Sequence, residues 1–278
     1  MKTLIVLAFV GLFAQLVDGS LGMAYGVTSS SLLLATGIAP AAASAAVHFS
    51  EIGTTLVSGL SHWKLGNVDW RTVSIMAVPG GIAAFFGATV LSSLDGEVAK
   101  PWVAGLLLVL GAYVLYRFLV LGGRRPQFRS RPLAGMLVPL AAVGGAMDAL
   151  GGGGWGPVGT SEFVVAVGGS LGFLFALGSA GIRWDIAAAL LAGGVVAAPI
   201  AAWLVRHLPA RILGVAAGGV IVLTNIKTIA ESFGAAGSTV AILAVAWTVV
   251  WAQMLVVAVR AERRARELAA DETTSVPV

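Results

Sequence analysis

Runs of about 20 apolar residues follow one another along nearly the whole chain, and this pattern restricts the possible folds more than any other feature. At 1.5 Å of rise per residue, one such run crosses the roughly 30 Å hydrocarbon core of a bilayer as a helix. In lipid every backbone N–H and C=O must be satisfied within the protein, which leaves helices or closed barrels. A barrel strand would alternate apolar and polar residues, whereas 103–121 is apolar on every face but for Arg117. The expected fold class is therefore an all-α polytopic membrane protein. Composition points the same way, with 11% of residues charged and a mean hydropathy of +0.94, against about 25% charged in an average soluble domain.

Ten apolar runs are read, at 4–17, 28–38, 41–60, 72–91, 103–121, 132–147, 161–178, 186–205, 212–229 and 239–259. Turn and linker residues separate them at 37–40, 66–67 and 122–132. The net charge of +4 could suggest nucleic acid, but the basic residues are placed otherwise. Arg117, Arg124, Arg125, Arg129 and Arg131 form one short cluster, and Arg260, Arg263, Arg264 and Arg266 another, each flanking an apolar run. The positive-inside rule explains both and puts the linker and the C-terminal tail in the cytoplasm of a multi-pass inner-membrane protein. Nucleic acid is not an expected partner. Trp63, Trp70, Trp102, Trp184 and Trp203 fall near run ends, as an interfacial belt requires. The absence of cysteine excludes disulfides, thiolate metal sites and thiol catalysis.

Two glycine-rich clusters share one design. Asp18-Gly-Ser-Leu-Gly-Met-Ala-Tyr-Gly26 aligns without a gap with Asp148-Ala-Leu-Gly-Gly-Gly-Gly-Trp-Gly156 at an offset of 130, sharing the acid, two glycines and an aromatic. Similarity continues downstream at a smaller offset. Ser50-Glu51 matches Ser161-Glu162 at 111, and Gly80-Gly81 and Ala84 match Gly193-Gly194 and Ala197 at 113. Gly105, Val109 and Leu110 then match Gly218, Val222 and Leu223. An internal duplication follows, with the second copy 19 residues shorter after Gly156. The expected organisation is a first repeat over 1–122, a basic linker over 123–131, a second repeat over 132–231, an extra helix over 232–259 and a basic then acidic tail over 260–278. The N-terminal run leads straight into the first cluster, so it is read as a retained helix and not as a cleaved signal. Five runs lie between the arginine clusters, which would place them on opposite sides. Truncation of the second repeat, an omitted crossing segment or a re-entrant run each account for this, and the omission is favoured. Five crossings per repeat would make the halves inverted.

Six of the nine residues over 151–159 are glycine, so a continuous helix is not expected there. Paired broken segments mark transporter sites, where exposed amides and half-helix ends attract anions. The expected substrate-binding residues are Gly19, Ser20, Gly22, Tyr25 and Gly26 in the first cluster and Gly152, Gly153, Gly154, Trp155 and Gly156 in the second. Hydroxyls of Ser20, Thr28, Ser29 or Thr160 are additional donors. Close helix packing is the competing use of these glycines.

Asp18, Glu51, Asp148 and Glu162 are ionisable residues at membrane depth, where insertion costs about 2.5–3.5 kcal/mol each, and they are candidates for coupling or gating. The aspartates could instead cap half-helices. His48 stands three residues before Glu51 on one helical face and joins the coupling group. A His-x-x-Glu pair alone is a poor metal site, so no metal and no cofactor is expected. Lys227, with Asn225, interrupts the run ending at 229 and is either a gating charge or a snorkelling one. The chain carries no Gly-x-Ser-x-Gly, His-Glu-x-x-His or Gly-x-x-x-x-Gly-Lys-Ser/Thr motif, and no enzyme activity is expected.

The run Gly19-Ser-Leu-Gly-Met-Ala-Tyr-Gly26, the segment Ser61-His-Trp-Lys-Leu-Gly-Asn-Val-Asp-Trp70 and the cluster Gly151-Gly-Gly-Gly-Trp-Gly-Pro157 together resemble the TauE/SafE sulfite-exporter family, over roughly residues 5–230. The resemblance implies a secondary carrier exporting sulfite or a small organosulfonate such as sulfoacetate. An anion channel and an uptake carrier for another small sulfur-containing anion are the alternatives. Expected partners are the small anion and membrane lipid, with a coupling proton and a homodimer as further options.

Overall fold

The computed structural model describes residues 2–21, 23–64, 70–123, 134–152 and 159–274. Ten helices run through them: α1 (Lys2–Leu21), α2 (Tyr25–Ala35), α3 (Pro40–Lys64), α4 (Trp70–Ser93), α5 (Gly96–Leu119), α6 (Ala134–Gly151), α7 (Gly159–Gly181), α8 (Trp184–His207), α9 (Ala210–Ser232) and α10 (Gly237–Thr274). Each corresponds to one of the ten apolar runs, and the described residues contain no strand. The fold is all-α. Six of the helices are long and apolar enough to cross a membrane, namely α4, α5, α7, α8, α9 and α10.

The helices generally extend beyond their apolar runs because their end turns carry polar or interfacial residues. α5 starts seven residues ahead of its run: the Asp95 side chain caps it by accepting from the Glu97 and Val98 amides, at 2.9 and 3.3 Å. Trp70 and Trp184 open α4 and α8, and both are exposed, as are Trp102 and Trp203. The side chain of Trp63 and the arginines at 124, 125, 129 and 131 lie outside the described residues.

Packing crosses between the halves of the sequence. α1 lies along α8, α6 along α4, α3 against α7, and α5 against α9. Close approach is paid for by missing side chains. A Cβ on Gly11 would enter the Leu190 backbone of α8, one on Gly193 the Ala8 backbone of α1, and one on Gly145 the Gly80 backbone of α4. α10 packs on α9, where the Trp247 and Trp251 indole N–H groups donate to the Gly219 and Val215 carbonyls at 3.0 and 2.9 Å. α2 is too short to cross and is buried from Tyr25 through Ser31. It is a half-helix set inside the bundle.

Candidate functional site

The first glycine cluster breaks the chain over a shorter stretch than its composition suggests. α1 continues through Leu21, and α2 begins at Tyr25 after Ala24, whose φ of 85° is left-handed. Gly19 therefore lies within α1, where a Cβ would press on that of Ala201 in α8. Its small size serves packing there. Asp18, one turn before the break, interacts through its carboxylate with the Tyr25 backbone N–H, so it serves the half-helix as a cap would. The Tyr25 hydroxyl is hydrogen-bonded to Ser50 at 3.1 Å, and the Ser29 hydroxyl donates to the Tyr25 carbonyl at 2.8 Å.

The second break starts at Gly152, with φ 78°. A Cβ there would collide with the Ser30 hydroxyl, and the Gly26 carbonyl lies just beyond it. The start of the second break thus meets α2, the half-helix that follows the first break, one from each half of the sequence. Gly22, Gly153, Gly154, Trp155 and Gly156 lie outside the described residues, as do the side chains of Ser20 and Thr160.

Beside this meeting point the matched acids converge. Asp18, Asp148 and Glu162 each act electrostatically on Glu51, and Asp18 and Asp148 act on Glu162. Glu51 and His48 come from α3, Asp148 from α6 and Glu162 from the first turn of α7. His48 and Glu51 are among the largest fully buried side chains, and Asp148 is buried. The His48 Nε2 lies 3.3 Å from Asp148 Oδ2. Its Nδ1 faces the Ser44 carbonyl at 2.9 Å, and the Ser44 hydroxyl donates across to the Ala149 carbonyl of α6 at 2.6 Å. Ser50 and Thr55 satisfy their hydroxyls within α3, on the carbonyls of Val47 and Glu51. The carboxylate of Glu51 has no hydrogen-bond partner among the described residues, nor do Asp148 Oδ1, Thr28 Oγ1 and Ser30 Oγ. Ligand atoms of His48, Glu51 and Asp148 fall within 4.8 Å of one another, a grouping that could hold a metal ion.

Sequence spacing paired His48 with Glu51 but not with Asp148, one hundred residues away. It also grouped Arg117 with the topogenic arginines, yet that side chain is only 7% exposed. Its Nη1 donates to the Met23 sulfur at 3.0 Å, in the first break, and its charge lies over the Phe118 ring at 5.7 Å. A signal was present, since Arg117 falls inside an apolar run, seven residues before the other arginines. Lys227 takes the opposite place: it is exposed and lies 3.7 Å from Glu231, one turn along α9. Asn225 is fully buried, and its amide donates to Ser31 of α2 at 2.7 Å.

Comparison with known proteins follows the same outline. The profile described as sulfite exporter TauE/SafE matches residues 7–228. A probable membrane transporter protein of Bacillus subtilis, YtnM, is 50% identical over 250 residues, covering 82% of this chain and 83% of that protein. The 250 positions exceed 82% of 278 residues, so YtnM carries residues inside the matched region that this chain lacks. No solved structure matches the chain.

Proposed function

The chain belongs to the TauE/SafE sulfite-exporter family of membrane transporters, and from that membership we propose that it is a secondary carrier exporting a small sulfur oxyanion, sulfite or an organosulfonate such as sulfoacetate. Transport proceeds by alternating access between two inverted repeats. The observation that carries this reading is the convergence of residues matched by the duplication: Asp18 with Asp148, Glu51 with Glu162, and the two breaks themselves. A site assembled equally from two repeats can open to either side when one half rocks against the other.

Further support comes from the packing pattern. The first helix of each half lies along the helix of the other half that carries the matched glycine pair, α1 on α8 with Gly193-Gly194 and α6 on α4 with Gly80-Gly81. An exchange of this kind is what a pseudo-two-fold relation between repeats produces. The residues present in YtnM but lacking here agree in sense with the 19-residue shortening after Gly156.

The anion is assigned to the region of the two glycine clusters, beside which the Thr28 and Ser30 hydroxyls are buried without a hydrogen-bond partner among the described residues. Arg117 supplies a buried cation beside the first break. An inside-negative potential favours exit of an anion by about 2.3 kcal/mol per charge per 100 mV, so export needs no coupling ion.

Counterflow in proteoliposomes tests the proposal. Labelled sulfite outside is expected to accumulate transiently when sulfite or sulfoacetate is loaded inside, and not with chloride. Saturable accumulation distinguishes a carrier from an anion channel, and its absence with every sulfur anion would overturn the assignment.

A further inference from the structure

We infer that His48, Glu51 and Asp148 form a site for one divalent transition-metal ion, held between α3 and α6. The argument starts from the histidine tautomer. Nδ1 faces the Ser44 carbonyl at 2.9 Å, which can only accept, so the Nδ1 proton is committed there. In the neutral ring Nε2 is then an acceptor; it lies 3.3 Å from Asp148 Oδ2, acceptor beside acceptor, and has no hydrogen-bond partner among the described residues. A cation must lie between or beside them.

A single proton would answer that one contact and nothing else. Both Glu51 oxygens and Asp148 Oδ1 would still be buried without a hydrogen-bond partner among the described residues, and such groups are costly. A metal ion satisfies all three side chains together, since their ligand atoms lie within 4.8 Å of one another. The surroundings hold the ligands as metal sites commonly do. The histidine's second nitrogen is fixed by a backbone carbonyl, and Phe173 meets its ring edge-on with centroids 5.7 Å apart. The Ser44 hydroxyl ties α3 to Ala149, next to Asp148 in α6. Gly169 of α7 leaves the space the ring occupies, because a Cβ there would overlap it.

One imidazole with two carboxylates suits zinc, manganese, cobalt or nickel better than magnesium or calcium, which favour oxygen alone. Three protein ligands leave coordination positions for water or for an oxyanion. A dication would also offset the carboxylates that otherwise repel an anion from this part of the bundle. The inference rests on the ligand geometry and not on the transported species.

The test is titration of the full chain in detergent micelles, its affinity tag removed, with Co²⁺ followed by visible ligand-field absorption and by calorimetry. One Co²⁺ per chain is expected, displaced by Zn²⁺, with affinity lowered about tenfold or more in His48→Gln and in Glu51→Gln. Asp185→Asn, at an exposed position paired with Arg183, leaves binding unchanged. Wild-type protein that is monodisperse yet takes up no stoichiometric Co²⁺ overturns the inference, as does uptake undiminished in folded His48→Gln. Because the titration requires no transport, failure here leaves the carrier assignment standing, and absence of counterflow leaves the metal site standing.

Discussion

At the scale of single residues, buried charge is the main expense of this protein, and two positions show how it is met. Asp18 interacts with the Tyr25 amide at the start of α2. Asparagine keeps an acceptor oxygen there and alanine does not. Asp18→Ala is therefore expected to lower stability by about 1 kcal/mol, and Asp18→Asn by much less, as measured by thermal unfolding in detergent. If Asp18→Asn folds normally and still abolishes sulfite counterflow, the carboxylate does more than cap. Arg117 presents the reverse case, because its charge is buried against a thioether and a ring, and Nε has no hydrogen-bond partner among the described residues. A buried charge with no acidic partner among the described residues is a liability to folding. Arg117→Met is expected to raise the unfolding temperature while increasing the sulfite concentration needed for half-maximal counterflow severalfold. A drop in stability with unchanged transport would make Arg117 a structural residue only.

At the scale of elements, contact between helices depends on where side chains are missing. Lipid tails are as apolar as leucine, so helix association in the bilayer draws on close backbone approach and hydrogen bonds more than on hydrophobic burial. Gly145 of α6 sits directly on the Gly80 backbone of α4, whereas a Cβ on Gly105 of α5 would meet nothing within 4 Å. Gly145→Leu is expected to separate α6 from α4 and to lose folded protein and counterflow together. Gly105→Leu should be tolerated, within about 0.5 kcal/mol of the parent. Fluorescence size-exclusion profiles of the two variants measure the difference, and equal behaviour would mean that the α4–α6 contact is not decisive. The two glycines look alike in the sequence. One is buried at a crossing and the other has open space beside it.

At the scale of the whole molecule, the number of crossings decides on which side of the membrane each arginine cluster lies. Four helices, α6 to α9, and the apolar part of α10 lie between the two arginine clusters, the second of which is carried by α10 itself, yet the positive-inside rule puts both clusters in the cytoplasm. α6 is a shorter apolar helix than the six long spans and ends in the second break, so it is the element suited to enter the membrane and return. The chain has no cysteine, which makes the question simple to ask. Gln127→Cys and Ala269→Cys, made one at a time, are expected both to react with a membrane-impermeant maleimide only from the cytoplasmic side. Labelling from opposite sides would require five full crossings and would remove the cytoplasmic assignment of one cluster.

All ten helices are legible in the sequence, because the water-free interior of a bilayer forces each long apolar run to close its own hydrogen bonds. The four acids and both breaks were legible too, since charge and clustered glycine stand out against an apolar background. Partners were not. Runs that are apolar on nearly every face carry no stripe to say which side meets protein and which meets lipid. Only the tertiary structure brought Asp148 to His48, set Gly152 against Ser30, buried Arg117 and turned Lys227 outward. Those placements follow from helix crossings between distant parts of the chain, fixed by close approach at a few small residues, and hydropathy along the sequence does not encode them.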